Sequence, residues 1–165
     1  GLCTLGGFVV PLLLSALIRI LMGTNGRYVV LVPFVIAFLS DAGGYFIGLR
    51  FGRHKLAPVI SPKKTLEGVL GGLAFSLIGM IVYCLVLQLA LKFRVNYGAG
   101  ILYALAGSGC GVMGDLCFSV VKRQTGIKDY GDLLPGHGGF LDRFDSLVLV
   151  APFVEAMLLI LPLAV

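Results

Sequence analysis

Five apolar runs, at about residues 5–22, 28–48, 68–91, 99–118 and 146–165, leave this 165-residue chain few ways to fold. An α-helix needs roughly 20 residues to cross the hydrocarbon core of a bilayer, and each run comes close to that length or exceeds it. None shows the period-two alternation of a transmembrane barrel. The pattern predicts an all-α, polytopic transmembrane helical bundle with about five spans. Composition agrees: 58% of residues are hydrophobic and 13% charged, against about 25% charged in a soluble domain. The expected medium is a lipid bilayer, and no nucleic-acid partner is expected.

The first apolar run has no basic flank ahead of it, so a cleavable leader is not expected. Because the chain opens on Gly1, an upstream portion is expected to be missing. Cys3, Cys84, Cys110 and Cys117 lie in or beside apolar runs without C-x-x-C spacing, which argues for packing over zinc or a disulfide framework. Small residues crowd the runs, as in "GVLGG" at 68–72 and "GSGCGVMG" at 107–114, and predict close helix contacts.

Two long polar connections separate the runs. Residues 49–67 carry Arg50, Arg53, Lys55, Lys63 and Lys64; residues 119–145 carry Lys122, Arg123, Lys128 and Arg143. Two spans lie between them, so both are expected on one side of the membrane. By the positive-inside rule that side is cytoplasmic, since the other receives only Arg27, Lys92 and Arg94.

Carboxylates stand where they are costly. Asp41, Asp115 and Glu155 fall within apolar runs, where an ionised side chain costs at least a few kcal/mol unless it is compensated. Gly43 and Gly44 beside Asp41 would admit another backbone or a ligand, and Tyr45 follows one turn later. Helical spacing aligns Asp115 with Ser119 and Lys122 on one face; Asp115 then either serves a site or simply pairs with Lys122 or another span. Glu155 has no such companions, and a helix–helix hydrogen bond or a protonated acid is expected. Asp142 and Asp145 are three apart at the expected start of the last run. One such Asp would read as helix capping. The pair, with Asp115 near the same boundary, makes an oxygen-only site of the kind Mg²⁺ prefers competitive.

The stretch "VVKRQTGIKDYGDLLPGHGGF" sets Lys122, Arg123, Lys128 and His137 among glycines that allow a backbone to wrap phosphates. A membrane anchor would not interleave Asp129, Asp132, Asp142 and Asp145 with its basic residues. Ser61 followed by Pro62 predicts a helix start, with Lys63 and Lys64 in the first turn. Lysines there oppose the helix dipole, so either an anion is held at that end or they are ordinary anchors.

The run from Ser119 to Asp145, "SVVKRQTGIKDYGDLLPGHGGFLDRFD", resembles the signature of the phosphatidate cytidylyltransferase family, the CDP-diacylglycerol synthases. Its Ser, Lys-Arg, Lys-Asp, Pro-x-His-Gly-Gly and Asp-Arg-x-Asp elements all match at the family's spacing. "SDAGGYFIG" and "SPKKTLEGVLGG" are similar too, so the resemblance covers roughly residues 38–147.

The resemblance implies a single membrane-embedded catalytic domain lacking the family's N-terminal spans. It implies a Mg²⁺-dependent enzyme joining CTP and phosphatidate to give CDP-diacylglycerol and pyrophosphate, with K⁺ as a second cation. Asp115, Asp142 and Asp145 would hold metal, while Lys122, Arg123, Lys128, Asp129, His137 and Arg143 would serve catalysis. Asp41, Ser61, Lys63, Lys64, Thr65, Glu67, Ser119, Gly138 and Gly139 would bind substrate. A homodimer in a bacterial inner membrane, with a cytoplasmic active site, is the implied setting. The competing readings are a CTP-dependent lipid or polyprenol kinase, which would release CDP, and a cation-coupled transporter, which would leave the 119–145 stretch unexplained.

Overall fold

Prolines sit in the first turn of two helices, where the missing N–H costs no intrahelical bond. A π-helical turn at Leu5–Val9 leads into α1 (Val10–Met22), which carries Pro11, and α3 (Val32–Phe51) carries Pro33. Between them a short turn, α2 (Gly26–Val29), follows Asn25 in the left-handed region at φ 56°. The computed structural model describes residues 5–58, 60–127 and 141–163; of Leu5, Gly6, Lys63, Leu141, Asp142 and Arg143 it describes the backbone alone.

After α3 the chain forms an antiparallel hairpin of β1 (Lys55–Ala57) and β2 (Ser61–Thr65), pairing Lys55 with Thr65 and Ala57 with Ser61. This corrects the expected helix start at Ser61. A residue before proline is pushed out of the α region, so Ser61 runs extended. The cap falls instead at Thr65, whose Oγ1 accepts from the Gly68 N–H at 3.2 Å and opens α4 (Leu66–Leu91). Lys63 and Lys64 therefore precede the helix, and Glu67 occupies its first turn, the sign that the dipole favours. The argument for an anion at that helix end loses its premise.

Asn96 caps α5 (Tyr97–Gln124), its Oδ1 accepting from the Ala99 N–H at 3.1 Å. The last helix, α6 (Leu141–Ile160), contains Pro152. Its range shifts the expected final run of 146–165 towards the N-terminus, with Leu161–Leu163 non-helical beyond it.

Three stretches among the described residues, Gly26–Phe51, Leu66–Leu91 and Tyr97–Gln124, are long and apolar enough to cross a membrane, and Gly7–Met22 is a shorter apolar helix. That is fewer than the five spans expected. Of the remaining two, α1 is short, and α6 carries Asp142, Arg143, Asp145 and Glu155 along its 20 residues.

The helices pack most extensively as α3 on α4 and α5 on α6. Absent side chains permit the first pairing: a Cβ on Gly43 would lie 2.6 Å from Phe75 Cβ and 2.7 Å from the Gly71 carbonyl. Ile20, Val32, Ile36, Met80, Tyr103, Leu147 and Val154 fill the central core. Ser40 and Ser108 share a buried hydrogen bond of 2.6 Å between α3 and α5.

The polar ties sort into two ends. At one, Asn96 N–H and Tyr103 O–H donate to the carbonyls of Leu163 and Leu161, each at 2.9 Å. Nearer that end than the hairpin, Arg19 on α1 grips Glu155 on α6 through two contacts, the Nη2 to Oε2 one at 2.8 Å, and also donates to Ser15 Oγ at 2.6 Å. The expected helix–helix bond of Glu155 is therefore present, but as an ion pair; Arg19 had not been recognised as its partner. At the other end, the hairpin packs on α3 and α4 and is tied to α5 by the Lys64–Asp115 and Ile60–Arg123 contacts.

Candidate functional site

The hairpin end gathers charge from four elements. From β2, the Lys64 ammonium pairs with Asp115 Oδ2 on α5. One turn along α5, Ser119 Oγ donates to Asp115 Oδ1 at 3.3 Å, as helical spacing predicts. Asp145 stands in the second turn of α6, only 7% exposed, its Oδ1 accepting from the Ser146 N–H at 2.8 Å. Ser146 Oγ in turn donates to Asp41 Oδ1 on α3 at 3.1 Å. Asp145 feels the charges of Asp115, Lys122 and Asp41, and Asp41 those of Asp115 and Lys64.

Glycine makes this convergence possible. A Cβ at position 114 would come within 2.8 Å of the Asp145 carbonyl, so Gly114 lets the start of α6 approach α5 beside Asp115. Three carboxylates held together repel one another, and positive charge among them relieves that repulsion. Lys64 supplies it from the hairpin.

Two further ties fix the hairpin. At its base, Glu67 accepts from the backbone N–H groups of Arg53 (3.1 Å) and His54 (3.2 Å), and the His54 ring Nδ1 lies 2.6 Å from Glu67 Oε1. At its tip, Arg123 Nε donates to the Ile60 carbonyl at 3.2 Å. The two polar connections expected on one side of the membrane thus meet at one end of the bundle.

Asp41 also faces outward. It lies on α3 between Phe38 and Tyr45, spaced three and four residues away, and all three are exposed. Phe38 packs against Phe144 of α6 with ring centroids 6.2 Å apart. The carboxylate cluster therefore adjoins an apolar flank of the bundle. A shallow depression lined by Leu21, Asn25 and Arg27 lies at the opposite end, away from these groups.

A profile of the cytidylyltransferase family matches residues 1–161 of this chain. The chain belongs to the cytidylyltransferase family. Three curated relatives, each called phosphatidate cytidylyltransferase, match over 136 residues. Those of Staphylococcus haemolyticus and Staphylococcus epidermidis are 43% identical to this chain and that of Staphylococcus aureus 41%, each alignment covering 82% of this chain and 51% of the relative. The chain spans about half the length of the curated relatives it matches.

In this chain, the expected site residues divide by location. Asp41, Lys64, Asp115, Ser119 and Asp145 come together, with Lys122 acting on Asp145. Thr65 and Glu67 serve the helix start and the hairpin base, Ser61 opens β2, and Arg123 holds the hairpin tip. Lys128, Asp129, His137, Gly138 and Gly139 lie outside the described residues, as do the side chains of Lys63, Asp142 and Arg143. Among the described residues no three His, Cys, Asp or Glu side chains form a ready metal-binding group.

Ser146 was missed. It is 2% exposed and links Asp41 to the start of α6. Its position directly after the second Asp of "DRFDS" was the available signal. The hairpin was missed as well, though Pro62 and the β-branched Thr65 both mark it.

Proposed function

We propose that this chain carries the catalytic core of a phosphatidate cytidylyltransferase, which transfers the cytidylyl group of CTP to phosphatidate and releases pyrophosphate. The observation that carries the reading is the meeting of Asp41, Asp115 and Asp145 with Lys64 beside an apolar flank. A charged headgroup and acyl chains need those two environments side by side. Relatives so named support the substrate choice.

The donor set fits a hard cation. Asp115 and Asp145 present carboxylate oxygens, with Ser119 and Ser146 hydroxyls beside them, and oxygen-only donors suit Mg²⁺. Asp115 and Asp145, with Asp142 one helical turn earlier, would hold it, and K⁺ is the proposed second cation. When bound, Mg²⁺ supplies charge neutralisation for the α-phosphate and for the leaving pyrophosphate.

The chain's own residues do the rest. Lys64 within the cluster, with Lys122 and Arg123 on α5, offsets phosphate charge, and Lys128, His137 and Arg143 are proposed to join them. Asp41 and Ser146 orient the face where the lipid phosphate arrives. That phosphate attacks the α-phosphorus in line, breaking the bond to pyrophosphate. A phosphate monoester is mostly ionised near neutral pH, so no side chain has to remove a proton. The proposed setting is a bacterial inner membrane, with this end cytoplasmic and two copies associating.

The test is to incubate the purified chain in lipid-detergent micelles with labelled CTP and phosphatidate, with and without Mg²⁺. Equal, Mg²⁺-dependent appearance of pyrophosphate and lipid-soluble cytidine label is expected. Release of CDP without pyrophosphate would replace the reading with γ-phosphate transfer.

A further inference from the structure

Lys64 sits in an unusual position for a phosphate-binding lysine. Its Nζ is buried, with no well-aligned hydrogen-bond acceptor among the described residues. Its counter-charge is Asp115. An ammonium carries three donors, and enclosing it beside one carboxylate recovers only part of the cost of desolvation. The pair is held in place by what surrounds it: Asp115 also acts on Asp41 and Asp145, and without a cation the three carboxylates would oppose one another.

We propose that Lys64 is a tethered counter-cation which a divalent metal ion displaces from Asp115, so that metal entry hands the ammonium to the nucleotide's phosphates. This rests on the reading of Asp115 and Asp145 as metal-holding residues. The geometry suits an exchange. Ser119 engages Asp115 Oδ1 while Lys64 engages Oδ2, so the oxygen needed by a metal is the one that the ammonium covers. The lysine stem is long and flexible, and the hairpin that carries it is fixed at its base by Glu67 and at its tip by Arg123. The ammonium can therefore swing while its backbone stays.

The consequence is a coupling between ligands. Without nucleotide, metal and ammonium compete for Asp115, and metal binds weakly. With nucleotide, the displaced ammonium gains a new partner and the competition is relieved. An enzyme built this way resists loading with metal until its phosphate substrate is present.

Two measurements test it on the full chain in detergent micelles. The first is Mn²⁺ binding without nucleotide, read by electron paramagnetic resonance. Lys64→Gln is expected to bind Mn²⁺ at least about fivefold tighter than the unaltered protein, and Lys64→Arg about equally. The second needs no substitution: acylation of the Lys64 amine, read by mass spectrometry. Labelling should be low without metal, rise with Mg²⁺, and fall again when CTP joins Mg²⁺.

Folded Lys64→Gln binding Mn²⁺ no more tightly, or labelling indifferent to Mg²⁺, overturns the exchange. Failure of both proteins to bind Mn²⁺ at all would instead overturn the metal site on which it rests.

Discussion

Asp115 is the residue on which the site turns, since it accepts from Ser119, pairs with Lys64 and acts on both other carboxylates. Asp115→Asn keeps its shape and removes its charge. We expect cytidylyl transfer to fall by at least about a hundredfold, measured by pyrophosphate release, and the thermal unfolding midpoint in detergent to fall as well, because the buried Lys64 ammonium loses its counter-charge. Ser146→Ala removes the buried hydroxyl that ties Asp41 to α6, and should cost about 1 kcal/mol of stability, seen as a lowered midpoint. The alignment of Asp115 with Ser119 could be read from spacing alone, because i and i+4 share a helical face. The pairing of Asp115 with Lys64 could not: it depends on how two loops fold toward each other, and no local periodicity encodes that.

The hairpin and the α3–α4 pair act as units. Glu67→Ala removes three contacts at the hairpin base at once; amide exchange should quicken across residues 53–65, and the KM for CTP should rise more than kcat falls. The carboxylate of Glu67, expected among the substrate-binding residues, is engaged at the hairpin base. On the helices, Gly43→Val would drive a branched side chain against Phe75 and the Gly71 backbone. Overpacking of this kind costs about 1–3 kcal/mol or more, whereas Gly109→Ala, with nothing within 4 Å of an added Cβ, should hold or raise the melting midpoint. The long apolar runs were legible because lipid imposes one pattern on a whole helix. The hairpin was not, because a pair of short strands stands or falls on a single turn and on where the next helix is capped.

At the scale of the whole molecule, charge placement makes two predictions. Arg19 and Glu155 join the first and last helices. Either Arg19→Met or Glu155→Gln should lower the melting point, and a double-mutant cycle should return a favourable coupling between them. Exchanging the two residues should restore part of it. If the hairpin end is cytoplasmic, a cysteine introduced at Arg53 should resist membrane-impermeant thiol reagents in intact cells and react in inverted vesicles, while one at Lys92 should do the reverse. Arg53 and Lys92 lie on opposite sides of a membrane-length helix, so the paired result fixes orientation.

Pro152 divides the helix that bears Asp145. Lacking an N–H, it leaves the carbonyl of Val148 without its intrahelical donor, and the interruption falls between Asp145 and Glu155. The missing rung makes that turn the place where α6 bends at least cost, with Asp145 on one side of it and Glu155, tied to Arg19, on the other.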